Sequence, residues 1–311
     1  MTSRRSGLPL WLFAALSLIA SSANASYINL GDMISLGDLS GQQYLHGPPG
    51  FALLGSKWDT TANSASTFVL PPGTPGSATW SFMAANLGLD LALLSNPVSP
   101  FFDPDHTDPS NVTHLSTSMA MLLGNPVSTV EEAAAATGAL NVWDAASGFT
   151  NLGMVIDGGG AAGASMPAGG LVGDIRVGAY PFFFGVLAGA FGPATELFGP
   201  GGNVGGDVHL NNAVLWADDA TDIFGDPDVD LFTILLHEFG HSLGLGHSSV
   251  TGAVMNANYQ GARRTLHHDD IQAIQAIYGP ATVPEPTSIL LLGTGIAAVT
   301  ARMKRRRNQW T

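Results

Sequence analysis

Along most of the chain, short apolar runs alternate with glycine, proline and asparagine, and three stretches hold the three-to-four spacing of a helix. The first, STVEEAAAATGALNVWDAAS from Ser128 to Ser147, opens on a serine able to cap, has Glu131 three positions later and continues in alanines. The second starts at Leu231. Asp230 offers an N-cap, Leu231, Ile234, Leu235 and Phe239 share one face, and Gly244 and Gly246 end the run. The third, His268 to Tyr278, carries Asp269 and Asp270 in its first turn, where acids suit the positive end of the helix dipole. Its Ile271, Ile274, Ile277 and Tyr278 form an inward stripe. Strands are predicted around Thr79 to Met83, in LVGDIRVGAY ending at Tyr180, and in GGDVHLNNAVLW from Gly205 to Trp216.

Between these elements lie loops. Residues 95–127 read as an insertion whose Asp103, Asp105, His106 and Asp108 could hold a metal, although such runs are more often solvated turns. Residues 157–170 form a Gly/Ala loop with no lysine for a phosphate cradle. Residues 218–230 hold six aspartates in thirteen positions, which fits a solvated loop better than a weak calcium site.

Charge sharpens the picture at both ends. Of eleven Lys and Arg residues, Arg4 and Arg5 lie near the N-terminus, and Arg302, Lys304, Arg305, Arg306 and Arg307 near the C-terminus. Residues 26–284 keep four basic side chains against 23 acids, about −19 by formal count. Such a body is repelled by phosphates, so nucleic acid is excluded as a partner. No cysteine is present, which removes disulfides, thiolate ligands and cysteine nucleophiles together.

Residues 1–25 have the order of a secretory signal: a basic start, an apolar run from Leu8 to Ala20, and a small-residue box at Ala23-Asn24-Ala25. From Val283 onward, Pro284-Glu285-Pro286, an apolar stretch and an arginine cluster follow one another. Basic residues beside an apolar segment stay on the cytoplasmic side, so the acidic body is expected outside a membrane with which this segment associates transiently. This segment, 283–311, resembles the PEP-CTERM sorting signal. The resemblance implies a Gram-negative-type host, processing by an exosortase, and delivery to the cell surface or extracellular matrix.

The densest chemistry is HEFGHSLGLGH, His237 to His247. On a helix, His237 and His241 are one turn apart on one face and can offer two nitrogens to a single point roughly 2 Å from each. Gly244 can take positive φ and swing His247 back toward that point. Three neutral imidazoles leave a fourth position open for water, the arrangement of catalytic zinc, with Glu238 beside His237 as a base. The alternative, three unrelated histidines on an ordinary helix, gives no reason for the spacing, the glutamate and the glycine to occur together.

With these residues in place the chain resembles a metzincin, and more narrowly a matrixin-type metallopeptidase. Ser248 follows the third histidine as in matrixins, Met255 stands where the Met-turn passes beneath the metal, and Ala257 is not the tyrosine ligand of astacins. LNVWDAASGFTNLG resembles the first family helix and its following strand, GDIRVGAY the third strand, GGDVHLNNAVLW the edge strand over the substrate cleft, and LHHDDIQAIQAIYG the C-terminal helix. The resemblance implies an α+β, metzincin-like zincin fold, with a twisted mixed β-sheet, an active-site helix, a backing helix and a C-terminal helix. It also implies one catalytic Zn2+ on His237, His241 and His247, Glu238 as general base, and peptide or protein substrates.

The resemblance breaks at the secondary metal sites. His209 stands at one position for a structural zinc ligand, but Gly189 replaces the expected partner histidine, and Asn211 and Val214 replace calcium carboxylates. These replacements weigh against a second zinc and against that calcium site, calcium elsewhere staying open, and without cysteine no cysteine-switch latency is expected. The expected organisation is a signal peptide (1–25), an N-terminal region holding the first strand plus an insertion or a propeptide (26–127), a matrixin-like core (128–282) and the sorting signal (283–311). The competing function is a catalytically silent surface or biofilm-matrix adhesion module on the same fold. Arg263 and Arg264, half of the body's basic residues, either favour an acidic or polar substrate group or pair with the acidic surface.

Overall fold

The computed structural model describes residues 45–46, 50–60, 65–67, 72–88, 115–124, 127–158, 173–181, 187–193 and 205–281. The two terminal signals, the Asp103–Asp108 cluster and most of the Gly/Ala loop lie outside the described residues. Residues up to Pro280 make one compact unit, and the chain from Ala281 a second.

A five-stranded mixed sheet forms the frame. Strands β5 (Gly76–Phe82), β6 (Phe149–Met154), β7 (Ile175–Tyr180), β8 (Ala188–Ala190) and β9 (Val208–Asn211) lie in the order β6-β5-β7-β9-β8. All neighbours are parallel except β8, which runs antiparallel to β9. Four smaller-numbered strands, β1 (Leu45–His46), β2 (Ala52–Leu53), β3 (Ser56–Trp58) and β4 (Ala65–Thr67), form two antiparallel hairpin pairs, β1 with β2 and β3 with β4. The short β10 (Trp216–Ala217) and β11 (Val229–Asp230) pair in parallel around the aspartate loop.

Three α-helices occur among the described residues: α1 (Val130–Ala146), α2 (Leu231–Ser242) and α3 (His268–Tyr278). These are the expected backing, active-site and C-terminal helices of an α+β fold. Helix α1 packs on β6, α2 packs on β8 and β9, and the two helices pack on each other. The apolar side of the sheet, with Trp80, Phe149, Ile175, Val177, Val208 and Leu210, shares one core with Trp143, Leu235, Phe239 and Ile274. Trp143 donates its indole N–H to Leu236 O at 2.9 Å, which fixes α1 against α2.

Local details depart from expectation. Thr129 precedes the first turn of α1 without a side-chain cap, and Ser128 Oγ accepts only the Val130 N–H at 3.3 Å. GGDVHLNNAVLW is not the sheet edge. Its β9 is hydrogen-bonded on both sides, to β7 and to β8, and all four of its residues are buried. The edge belongs to Ala188–Ala190, a segment too short and too glycine-rich to announce a strand. Every position of β7 is buried as well. Arg176 leaves the apolar side and forms a bidentate pair with Asp157, at 2.9 and 3.1 Å.

Candidate metal centre

Helix α2 begins where Asp230 turns the chain. Its carboxylate accepts the Thr233 N–H at 3.1 Å and the Thr233 hydroxyl at 2.5 Å, satisfying donors that a helix start leaves open. Arg264 closes on the same carboxylate from the other side. Except for Phe232, every residue of α2 is buried, including the polar His237, Glu238, His241 and Ser242. An amphipathic surface helix would leave such a face in water. Here the polar face is enclosed, so its groups need partners.

The imidazoles find them. His237 Nδ1 bonds the Val254 carbonyl at 2.7 Å, and His241 Nδ1 bonds the Leu245 carbonyl at 2.8 Å. A carbonyl accepts only, so each Nδ1 carries the proton and each Nε2 presents a lone pair. Beyond α2, Gly244 adopts φ +100° and returns the chain, bringing His247 to the same point. His241 Nε2 then lies 3.1 Å from both His237 Nε2 and His247 Nε2. A ligating nitrogen of each ring lies within 4.8 Å of the others. Burial pushes His237 down to about 4, His241 well below its usual range and His247 to about 3, so all three are neutral near pH 7.

Facing lone pairs at 3.1 Å repel unless a cation lies among them. Two nitrogens at zinc-ligand distance in tetrahedral geometry stand roughly 3.3 Å apart, so the spacing fits a transition metal of zinc's size. The donor set fits as well: three neutral imidazoles without thiolate suit zinc better than calcium. Glu238 is not among the converging groups. It is 1% exposed, its Oε2 has no hydrogen-bond partner among the described residues, and burial pushes its carboxyl up to about 8.

Met255 packs against Gly240 of α2 at 1% exposure. A side-chain Cβ built on Gly240 would stand 2.2 Å from Met255 Sδ, so helix and methionine touch only because residue 240 has no side chain. The turn carrying Met255 is held by Asp270, whose carboxylate accepts the backbone N–H of Val254 at 2.8 Å and of Met255 at 3.1 Å. Beyond suiting the helix dipole at the start of α3, Asp270 belongs to a capping box in which His267 and Asp270 cap each other's backbone. That H-x-x-D pattern was the available signal. The contact with the Met255 turn had none.

The loop of the third histidine is laced to the N-terminal region. Leu54 N–H donates to Gly244 O, Gly246 N–H to Ala52 O and Ser249 N–H to Gly50 O, each at 2.8 Å. Other candidates lie apart. His209 is buried between the rings of Tyr180 and Phe191, paired across the ladder with Gly189, and belongs to no cluster of three ligand-type side chains among the described residues. Asn211 Oδ1 accepts the Ala213 N–H at 2.9 Å. The aspartate loop is only partly solvated: Asp222 and Asp230 are buried, and Asp222 takes the Tyr259 hydroxyl.

Residues 183–279 match the family model Matrixin, and residues 282–307 match the PEP-CTERM protein-sorting motif. The chain is 39% identical to human matrix metalloproteinase-20 over 107 residues, 33% of this chain and 20% of that protein. Rat matrilysin is 43% identical over 94 residues, 28% of this chain and 33% of the relative. Karilysin of Tannerella forsythia is 37% identical over 113 residues, 35% and 22% respectively. The chain thus carries a matrixin domain followed by a PEP-CTERM motif, and it spans about a fifth to a third of the length of these relatives.

Proposed function

We propose that the matrixin domain of this chain is an exported zinc-dependent endopeptidase, with His237, His241 and His247 as the metal ligands and Glu238 as the general base. The observation that carries this reading is the convergence of the three imidazoles, two of them fixed by backbone carbonyls in the tautomer that ligation needs. A bound zinc ion supplies Lewis acidity, lowering the pKa of water to about 7 and polarising a carbonyl oxygen.

The protein's own part is positional and protonic. Val254 and Leu245 hold the His237 and His241 rings so that no reorganisation accompanies binding. Oε2 of Glu238, enclosed and without another partner among the described residues, is placed to take the proton of the attacking water and return it to the leaving amine once the charge of a bound cation offsets the burial that raises its carboxyl. Met255 supports the His237 side of the site through its neighbour Val254, the carbonyl that binds Nδ1. The strand Ala188–Ala190, last in the sheet order among the described residues, packs near α2.

Strand pairing supports an N-terminal boundary. β5 lies between β6 and β7, and residues 50–54 lace the His247 loop, which supports a catalytic unit that begins near Gly50 and extends to residue 282. A propeptide would then be confined to residues between 26 and that point. Residues 1–25 would be removed on export, and 283–311 would direct the chain through an exosortase to the cell surface or extracellular matrix.

The test is hydrolysis of casein or gelatin by the full chain, with and without a chelator, beside Glu238→Ala. Loss of activity in both controls, with zinc still bound by Glu238→Ala, is expected. Stoichiometric zinc without turnover in the wild type would overturn the peptidase reading and favour an adhesion module.

A further inference from the structure

A small, solvent-open recess lies beside His237, lined by Ile234, Val254 and Tyr259 and by Asn256, Gln260 and Arg263. Its chemistry turns on two adjacent arginines that the fold treats differently. Arg264 points away, into ion pairs with Asp218 and Asp230. Arg263 is anchored by its backbone N–H to Thr233 Oγ1 at 2.7 Å, in the first turn of α2. Its guanidinium donates to the Ala253 carbonyl at 2.9 Å and to Gln260 Oε1 at 2.5 Å. Both acceptors are neutral. Two of five N–H donors are thereby engaged, and no carboxylate among the described residues pairs with the charge.

The carboxylates that could have neutralised it are committed elsewhere. Asp222 takes the Tyr259 hydroxyl and the Asp230 N–H, and Asp230 holds Thr233 and Arg264. The same bonds brace Tyr259, so one wall of the recess is set before anything enters. A half-buried cation without a counter-ion among the described residues, in a body of about −19, is a local exception to the surrounding charge.

We infer that this recess receives an acidic side chain, glutamate or aspartate, from the substrate residue next to the cleaved bond, and that Arg263 is the residue that selects it. The inference rests on the peptidase reading only in taking the occupant to be a peptide side chain. A carboxylate completes the unused face of the guanidinium with charge-assisted hydrogen bonds, whereas an apolar side chain desolvates that face without return. The acidic body slows every acidic peptide alike, so selection appears as a ratio between matched peptides rather than as absolute affinity.

The experiment uses the zinc-loaded full chain carrying Glu238→Ala, so that peptides bind without turnover. Eight-residue peptides identical except for Glu, Gln, Leu or Lys on either side of the central bond are titrated by fluorescence anisotropy. Glutamate at one of the two positions is expected to bind about tenfold tighter than leucine there. Adding Arg263→Gln should abolish that ratio, Arg263→Lys should keep part of it, and Arg263→Glu should turn the preference toward lysine. Melting by circular dichroism checks that each variant is folded. Equal binding of the Glu and Leu peptides, no binding of any Glu peptide, or a ratio unmoved by Arg263→Gln overturns the inference. Cleavage of a randomised peptide mixture by the wild type separates the two readings. Arg263-dependent binding without any cleavage would sink the peptidase and leave the recess's selectivity standing. Cleavage with no acidic enrichment beside the cut would do the reverse.

Discussion

Replacing Gly240 by alanine should destabilise the protein, although alanine is the better helix former. In an open helix interior the exchange gains about 1 kcal/mol. Here the new Cβ would stand 2.2 Å from Met255 Sδ, 3.0 Å from its Cε and 3.1 Å from Trp143 Cζ2. Neither neighbour yields freely. Trp143 is tied to Leu236 O, and the backbone of Met255 is tied to Asp270 and Ser248. Overpacking of this kind costs about 3 kcal/mol at the upper end of its usual range, leaving a net loss of about 2 kcal/mol. For a domain of this size that lowers Tm by about 4–8 °C. Urea and thermal melts followed by far-ultraviolet circular dichroism measure it, and a double-mutant cycle with Met255→Ala assigns it. With the thioether gone, alanine at 240 should cost nothing or recover its helical gain, a coupling of about 3 kcal/mol. Displacing Met255 also shifts Val254 O, so zinc affinity should weaken in the single variant. A Gly240→Ala protein that melts higher than wild type, or losses that simply add, would refute the packing argument.

Chelation of the metal should lower Tm by several degrees and zinc should restore it, since a ligand held at 100 times its Kd adds about 2.7 kcal/mol; a melt indifferent to both would mean that the triad holds no ion. A pH series tests the buried imidazole of His209, whose pKa burial lowers to about 3 against an ordinary 6.5. Between those values only the unfolded chain takes up the proton, so stability falls as pH drops below 6.5, by about 1.4 kcal/mol per unit. His209→Gln should flatten the stability-against-pH slope by one proton in zinc-saturated protein, and an unchanged slope would contradict the neutral, enclosed ring.

What was legible in the sequence was what local spacing controls. Helices α2 and α3 begin and end where Asp230, Gly244 and the Asp269–Asp270 pair indicate, because caps and positive φ act within a turn or two. His237, His241 and His247 converge for the same reason: a four-residue helical step and one glycine bend lie within eleven residues. Tertiary structure decided what depends on partners far along the chain. Ala188–Ala190 is the sheet edge because β9 is taken on both sides, a fact of pairing order and not of composition. The His247 loop is held by Leu54 and Ala52, nearly two hundred residues earlier, and the Met255 turn by a carboxylate from another helix. Arg263 and Arg264 are chemically identical neighbours, yet one is neutralised and one is left charged beside the metal site. Residue type and spacing set which bonds a segment is able to make. Which of them form is settled only when distant segments compete for the same buried donors and acceptors.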